Sequence, residues 1–207
     1  MMAALLDARP RSAGELALLA NVSAQSASMH LSQLLTGGFL KVNRQGRYRY
    51  YVIAGRDVAH AIEALGAIST LPALKRPIND RALCYARTCY DHLAGELGVQ
   101  ITAVMEQNRV LVPRGENEYE LTPGGEKFLR QWQIDAGSLR NTKRAFARRC
   151  LDWTERRYHL AGALGAAICA RFLERRWIVR ERRSRVVYLS ESGRQKLTGL
   201  LNRSAAA

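Results

Sequence analysis

A mixed α+β fold, mostly helical and in two parts, is what this sequence predicts, and three observations predict it. Residues 1–69 run through two short amphipathic helical patterns and one hairpin pattern. Residues 92–128 and 159–196 then carry the same order of features twice. A chain of 207 residues with 47% hydrophobic content has material for one or two ordinary domains. The expected boundaries are 1–69 and 70–207, with repeats at about 81–135 and 145–203 in the second part.

In the first part, Ser12 followed by Glu15 is a capping-box pattern, and Leu16, Leu19 and Ala20 supply the apolar stripe of a helix that stops near Asn21. Ser23 caps a second helix, in which Ala27, Leu31, Leu34 and Leu35 face inward while Gln25, Ser26, Ser28, Met29 and Ser32 point elsewhere. Gly37 and Gly38 end it. "KVNRQGRYRYYVI" then reads as a hairpin with Gln45-Gly46 at its tip. Two helices, a tight turn and a hairpin in this order make a winged helix-turn-helix pattern. Short polar side chains on the second helix are of the kind that reach base edges in a major groove, and Arg44 and Arg47 beside the tip can reach phosphate. Any solvated helix carries Ser and Gln, so it is the ordered set that points to DNA.

The charge agrees with a polyanion partner, with DNA or RNA ahead of a membrane surface: the net charge is +14 and the pI near 10.3. It is unevenly spread, at 7 − 4 = +3 over 1–69, 8 − 9 = −1 over 70–139 and 17 − 5 = +12 over 140–207. No apolar run is long enough to span a membrane, and "MMAALLDARPR" is too short and too quickly charged for a secretory signal. A cytoplasmic location without membrane partners is therefore expected, in which the 4 cysteines serve as free thiols, metal ligands or redox sensors. There is no P-loop, Gly-x-Ser-x-Gly, His-Glu-x-x-His or dinucleotide turn, so an enzyme is not expected.

"ELALLANVSAQSASMHLSQLLTGGFLKVNRQGRYRYYVI" resembles the ArsR family of bacterial winged-helix repressors, most specifically through Ser28-Met29-His30-Leu31, "GGFL" and "GRYRYY". The resemblance covers about the first third of the chain. It implies a homodimer on a two-fold-symmetric double-stranded operator, with repression relieved by an effector. It also implies that Gln25, Ser26 and Ser28 read bases and that His30 contacts the DNA backbone; Ser32, on the same outward face by its spacing, is a further DNA-binding candidate. The family's metalloid cysteines before the turn are absent from "ELALLANVS". Its other metal site is met only by Asp57, His60 and Glu63, which a solvated dimer helix explains better. The segment before Ser12 is shorter than the family's first helix, so from the resemblance that helix is expected to be clipped, with the true start upstream.

The second part is marked by "HLAGELG" at 92–98 and "HLAGALG" at 159–165. Each copy reads as helix, hairpin, helix, giving two pseudo-symmetric half-domains that share a core. The first hairpin, "PRGENEYEL", is acidic and the second, "RERRSRVVYL", is rich in arginine. Arg182, Arg183 and Arg185 are thus candidates for a second basic wing, against the alternative that they pair with nearby acids. Because the histidine recurs in a copy with no adjacent cysteine, packing or hydrogen bonding is favoured over ligation for His92 and His159 alike, and His92 stays only as an assisting candidate.

If 81–95 is one helix, Cys84 and Cys89 point about 140° apart and cannot pair, whereas Cys89 and His92 share a face. Two ligands are too few for a metal, and Cys150, among Arg148, Arg149, Arg156 and Arg157, is the outside candidate. Cys169 lies in an apolar run and reads as core. The effector candidates are thus Cys89, Cys150, Cys84 and His92, for an oxidant, a metalloid or a soft metal. No cofactor is certain. An organic ligand with inert thiols stays open, as does a rival of another class, a non-specific nucleic-acid-binding structural or RNA-associated protein.

Overall fold

The computed structural model describes residues 1–46, 48–68, 81–182 and 184–201. They divide into two compact units, one from 1–81 with 182–185, the other from 82–181 with 186–207.

The first unit opens with a 3-10 turn at Met2–Leu5, then β1 (Arg11–Ser12), α1 (Ala13–Ala20), α2 (Ala24–Thr36), β2 (Leu40–Gln45), β3 (Tyr48–Ile53) and α3 (Arg56–Ile68). The three strands form one antiparallel sheet in the order β1-β3-β2. Local chemistry sets the helix ends. Ser12 Oγ accepts from Glu15 N at 3.3 Å while Glu15 accepts from Ser12 N at 2.7 Å, so two otherwise unpaired donors are satisfied together. Ser12→Ala is expected to cost about 1 kcal/mol of stability, read as a lower urea midpoint; an unchanged midpoint would refute the cap's contribution. Asn21 ends α1 in the left-handed region at φ 52°, and Ser23 caps α2 by accepting from Ser26 N at 3.1 Å.

Leu31 of α2 packs with Leu5, Leu16, Leu40 and Tyr51 in this unit's core, with Leu34 and Leu35 beside it, and Ala27 is buried as well. The expected stripe of α1 needs correction. Leu16 and Ala17 are buried, while Leu19 is exposed, because an eight-residue helix meets its neighbours over little more than one turn.

The second unit runs α4 (Arg81–Tyr85), β4 (Arg87–Cys89), β5 (His92–Ala94), α5 (Gly95–Gln107), β6 (Leu111–Arg114), β7 (Glu118–Leu121), α6 (Pro123–Gln131). The same order follows in α7 (Ala136–Arg140), β8 (Arg148–Leu151), β9 (Tyr158–Ala161), α8 (Gly162–Glu174), β10 (Ile178–Arg180), β11 (Val187–Leu189) and α9 (Glu191–Leu201). Each half therefore carries one hairpin more than the expected helix–hairpin–helix. The single helix over 81–95 does not form: α4 stops at Tyr85, Tyr90 turns the chain at φ 58°, and "HLA" is a strand paired with "RTC". All six of those strand residues are buried, so tertiary pairing and burial outweigh the local helical pattern. The 140° divergence between Cys84 and Cys89, which assumed that helix, lapses with it.

The halves exchange contacts. Tyr119 N donates to Ala147 O at 2.9 Å and, reciprocally, Val187 N donates to Ala86 O at 3.0 Å. Helix α5 packs on β9 and α8 on β5, with Leu97, Ile101, Met105, Leu164, Ile168 and Phe172 in the shared core. Cys169 is buried there, as expected.

Candidate functional site

In both leading hairpins of the second unit a cysteine stands directly across from a histidine, Cys89 opposite His92 and Cys150 opposite His159. Directly opposed residues of an antiparallel pair present their side chains side by side on one face. Because the two halves pack reciprocally, the faces meet. One sulfur or nitrogen of each of Cys89, His92, Cys150 and His159 lies within 4.8 Å of all the others. The imidazoles are only 3% and 1% exposed, with Nε2 of His92 3.1 Å from Nε2 of His159. Glycine permits this approach. A Cβ on Gly98 would sit 2.6 Å from Leu93 O and 3.7 Å from His159 Cβ, and one on Gly165 would press on Leu160 O and lie 3.3 Å from His92 Cβ.

Behind each imidazole stands a carboxylate. Nδ1 of His92 is 3.4 Å from Asp91 Oδ1, and Nδ1 of His159 is 3.2 Å from Asp152 Oδ2, off the line of a good hydrogen bond. Each carboxylate is itself held by an arginine. Arg144 grips Asp91 with both Nη atoms, at 2.5 and 2.9 Å. Nη2 of Arg87 lies 2.9 Å from both oxygens of Asp152, in a pair with both side chains fully buried, and its guanidinium lies over Trp153 at 5.0 Å. Gly95 N and Thr154 N also donate to Asp152, at 2.8 and 2.9 Å. Burial opposes ionisation of both aspartates, but the facing imidazoles and the arginine charges outweigh it and hold both well below the usual carboxylate range. For the imidazoles, burial likewise disfavours charge, and the carboxylates together with Cys89 more than offset it, raising both above the ordinary value.

Two soft thiols and two imidazoles converging on one buried point can hold a borderline or soft cation, and the two thiols can also be oxidised or metallated. The cavity lined by Leu93, Gly98, Ile101, Leu160, Gly165 and Ile168 has a volume of only about 20 Å³, whereas one lined by Asp91, Ala166, Ala170, Leu173, Ile178 and Val179 in the same unit reaches about 750 Å³, within the range of ligand pockets. Cys84, on α4, is half-buried and stands outside the group of four.

In the first unit, Gln25, Ser28, His30 and Ser32 are exposed on α2, Ser26 is half-buried at its start, and Arg44 is exposed on β2. Arg47 and Arg183 lie outside the described residues. Of the two other candidates for a second basic wing, Arg182 is exposed. Arg185 belongs to the first unit, where Nη2 donates to the buried Glu63 at 2.9 Å and Nε donates to Leu6 O at 2.5 Å. Glu63 on α3 is therefore committed to a guanidinium, and Asp57, a turn and a half away, is exposed.

Sequence reasoning nominated Cys89, Cys150 and His92 of the group but set His159 aside, and it passed over Asp91, Arg87 and the role of Asp152. A signal was present. "CYDH" at 89–92 and "CLD" at 150–152 share Cys-x-Asp ahead of "HLAG", but residues 153–158 separate Asp152 from His159 in the second copy. That insertion lengthens the turn of the β8–β9 hairpin and supplies Tyr158, the first residue of β9, and it hid the correspondence.

Comparison with known proteins places the chain in a class. The chain is 42% identical over 198 residues, which is 94% of its length and 87% of the relative's, to a Bacillus subtilis (strain 168) protein described as the uncharacterized HTH-type transcriptional regulator YdfF. At that identity and coverage the chain belongs to the same family, the HTH-type transcriptional regulators of the YdfF kind. No family model matches the chain, and no solved structure matches it.

Proposed function

We propose that the chain is a sequence-specific, DNA-binding transcriptional repressor of the ArsR type. In this reading α1 and α2 are the helix-turn-helix, β2 and β3 the wing, and the second unit a duplicated sensing domain acting through Cys89 and Cys150. The observation that carries it is the capped α1–turn–α2 pair with Gln25, Ser28 and Ser32 on the open face of α2, in a chain whose relative is named an HTH-type regulator. N-terminal residues of a second helix placed this way contact base edges in a major groove, while Arg44 on β2 supplies phosphate contact. The homodimer forms through α3, on which Leu65 is 65% exposed and would be covered by a second copy. The protein works in the cytoplasm and derepression follows when an effector engages the thiols.

Operator footprinting tests the reading. A short palindromic site should be protected, with half-sites about one helical turn apart as for a two-fold dimer. Uniform protection of any duplex or of RNA would replace the reading with a non-specific nucleic-acid-binding protein.

A further inference from the structure

We infer that Cys89, His92, Cys150 and His159 form a four-coordinate site for a divalent cation of the zinc class, shared between the two halves of the second unit. This names the ligand of the thiol site proposed above and rests on that placement of the effector.

Three observations carry it. The first is the donor set and its spacing. Tetrahedral coordination with nitrogen at about 2.0–2.1 Å and sulfur at about 2.3 Å puts ligand nitrogens about 3.3 Å apart and ligand sulfurs about 3.8 Å apart. The observed Nε2–Nε2 separation is 3.1 Å and all four donors lie within 4.8 Å of one another.

The second is the tautomer that the surroundings select. Each Nδ1 faces a carboxylate held ionised by an arginine, Asp91 by Arg144 and Asp152 by Arg87, so the ring proton belongs on Nδ1 and the lone pair on Nε2. Two Nε2 lone pairs then face each other in a buried space, which is repulsive unless a cation lies between them. A shared proton would answer the two nitrogens only. The sulfurs of Cys89 and Cys150 converge on the same point, and a proton has no use for four donors. This carboxylate–histidine arrangement is the one by which metal-ligating imidazoles are oriented.

The third is charge and softness. Two thiolates balance a divalent ion, so the buried core of the site carries no net charge. Two thiols with two imidazoles suit zinc, whereas hard cations prefer oxygen ligands and a metalloid that binds only through sulfur finds just two thiols here. All four positions are filled by protein, which is the arrangement of a closed site.

The test is metal analysis of the full chain purified under reductant, followed by replacement of the bound ion with cobalt(II) and by the variants Cys150→Ser and His159→Gln, each checked for folding by circular dichroism. About one zinc per chain is expected, and the cobalt form should show the visible bands of tetrahedral cobalt with a thiolate charge-transfer band. Cys150→Ser should reduce that charge-transfer band by about half, one of two thiolates being lost, and His159→Gln should keep the band while weakening affinity about tenfold or more. Cys150 is half-buried, so its variant is the one best placed to stay folded. A folded parent that takes up neither zinc nor cobalt(II) overturns the inference, as does a Cys150→Ser protein with an unchanged cobalt spectrum. Operator affinity measured with and without the ion separates the two readings. An ion whose removal leaves affinity unchanged supports the site and refutes the effector role, while release from DNA by oxidant in a protein that binds no metal refutes the site and keeps the thiol sensor.

Discussion

Asp152→Asn is expected to lower the stability of the second unit by about 3–5 kcal/mol, the cost of leaving a buried guanidinium without its counter-charge. The side chains of Arg87 and Asp152 are both fully buried, and Asp152 also accepts from Gly95, Thr154 and Glu155 backbone N–H groups. One carboxylate therefore ties the start of α5, the β8–β9 turn and strand β4 together. The outer pair gives the contrast. Arg144 and Asp91 are 40% and 25% exposed, and Asp91→Asn should cost no more than about 1 kcal/mol. Urea unfolding of the two variants measures both, and equal losses would remove the distinction between them. The pH dependence follows from the sign of the shift. Asp152 is depressed in the folded state, so its contribution is fully present above the unfolded carboxylate value of about 3.9 and fades as the pH falls below it toward the folded one.

Replacing Gln25 and Ser28 together by Ala is expected to weaken operator binding at least about tenfold, since a good base contact contributes about 1–3 kcal/mol of discrimination. Both side chains are exposed, so stability should move by no more than about 0.5 kcal/mol. Fluorescence anisotropy on the operator and on a scrambled duplex, at one salt concentration, reads the effect. Loss on the operator alone supports base reading by α2; equal loss on both sequences would reassign these residues to backbone contact.

Much of the first unit was legible because its signals are local. A capping box at Ser12 and Glu15, a cap at Ser23, an apolar face at Ala27 and Leu31 and a hairpin around Gly46 each depend on residues a few positions apart. Leu19 was misplaced for a tertiary reason, since what covers a short helix is decided by its neighbours. In the second unit the repeat was legible but its secondary structure was not. "HLAG" reads as the start of a helix, whereas its first residues pair across a turn at Tyr90 with "RTC", and only the helix from Gly95 onward obeys the local pattern.

By itself the sequence showed that "HLAG" stands twice, that a cysteine precedes each copy, and that the charge suits a polyanion. These follow from composition and from spacing along one chain. Only the tertiary structure decided that His159 stands against His92, that two cysteines from different halves join them, and that Arg87 and Arg144 hold the carboxylates behind. The reason is that Cys89 and Cys150 are sixty-one positions apart in the chain and meet through the packing of α5 on β9 and α8 on β5, which no local pattern encodes.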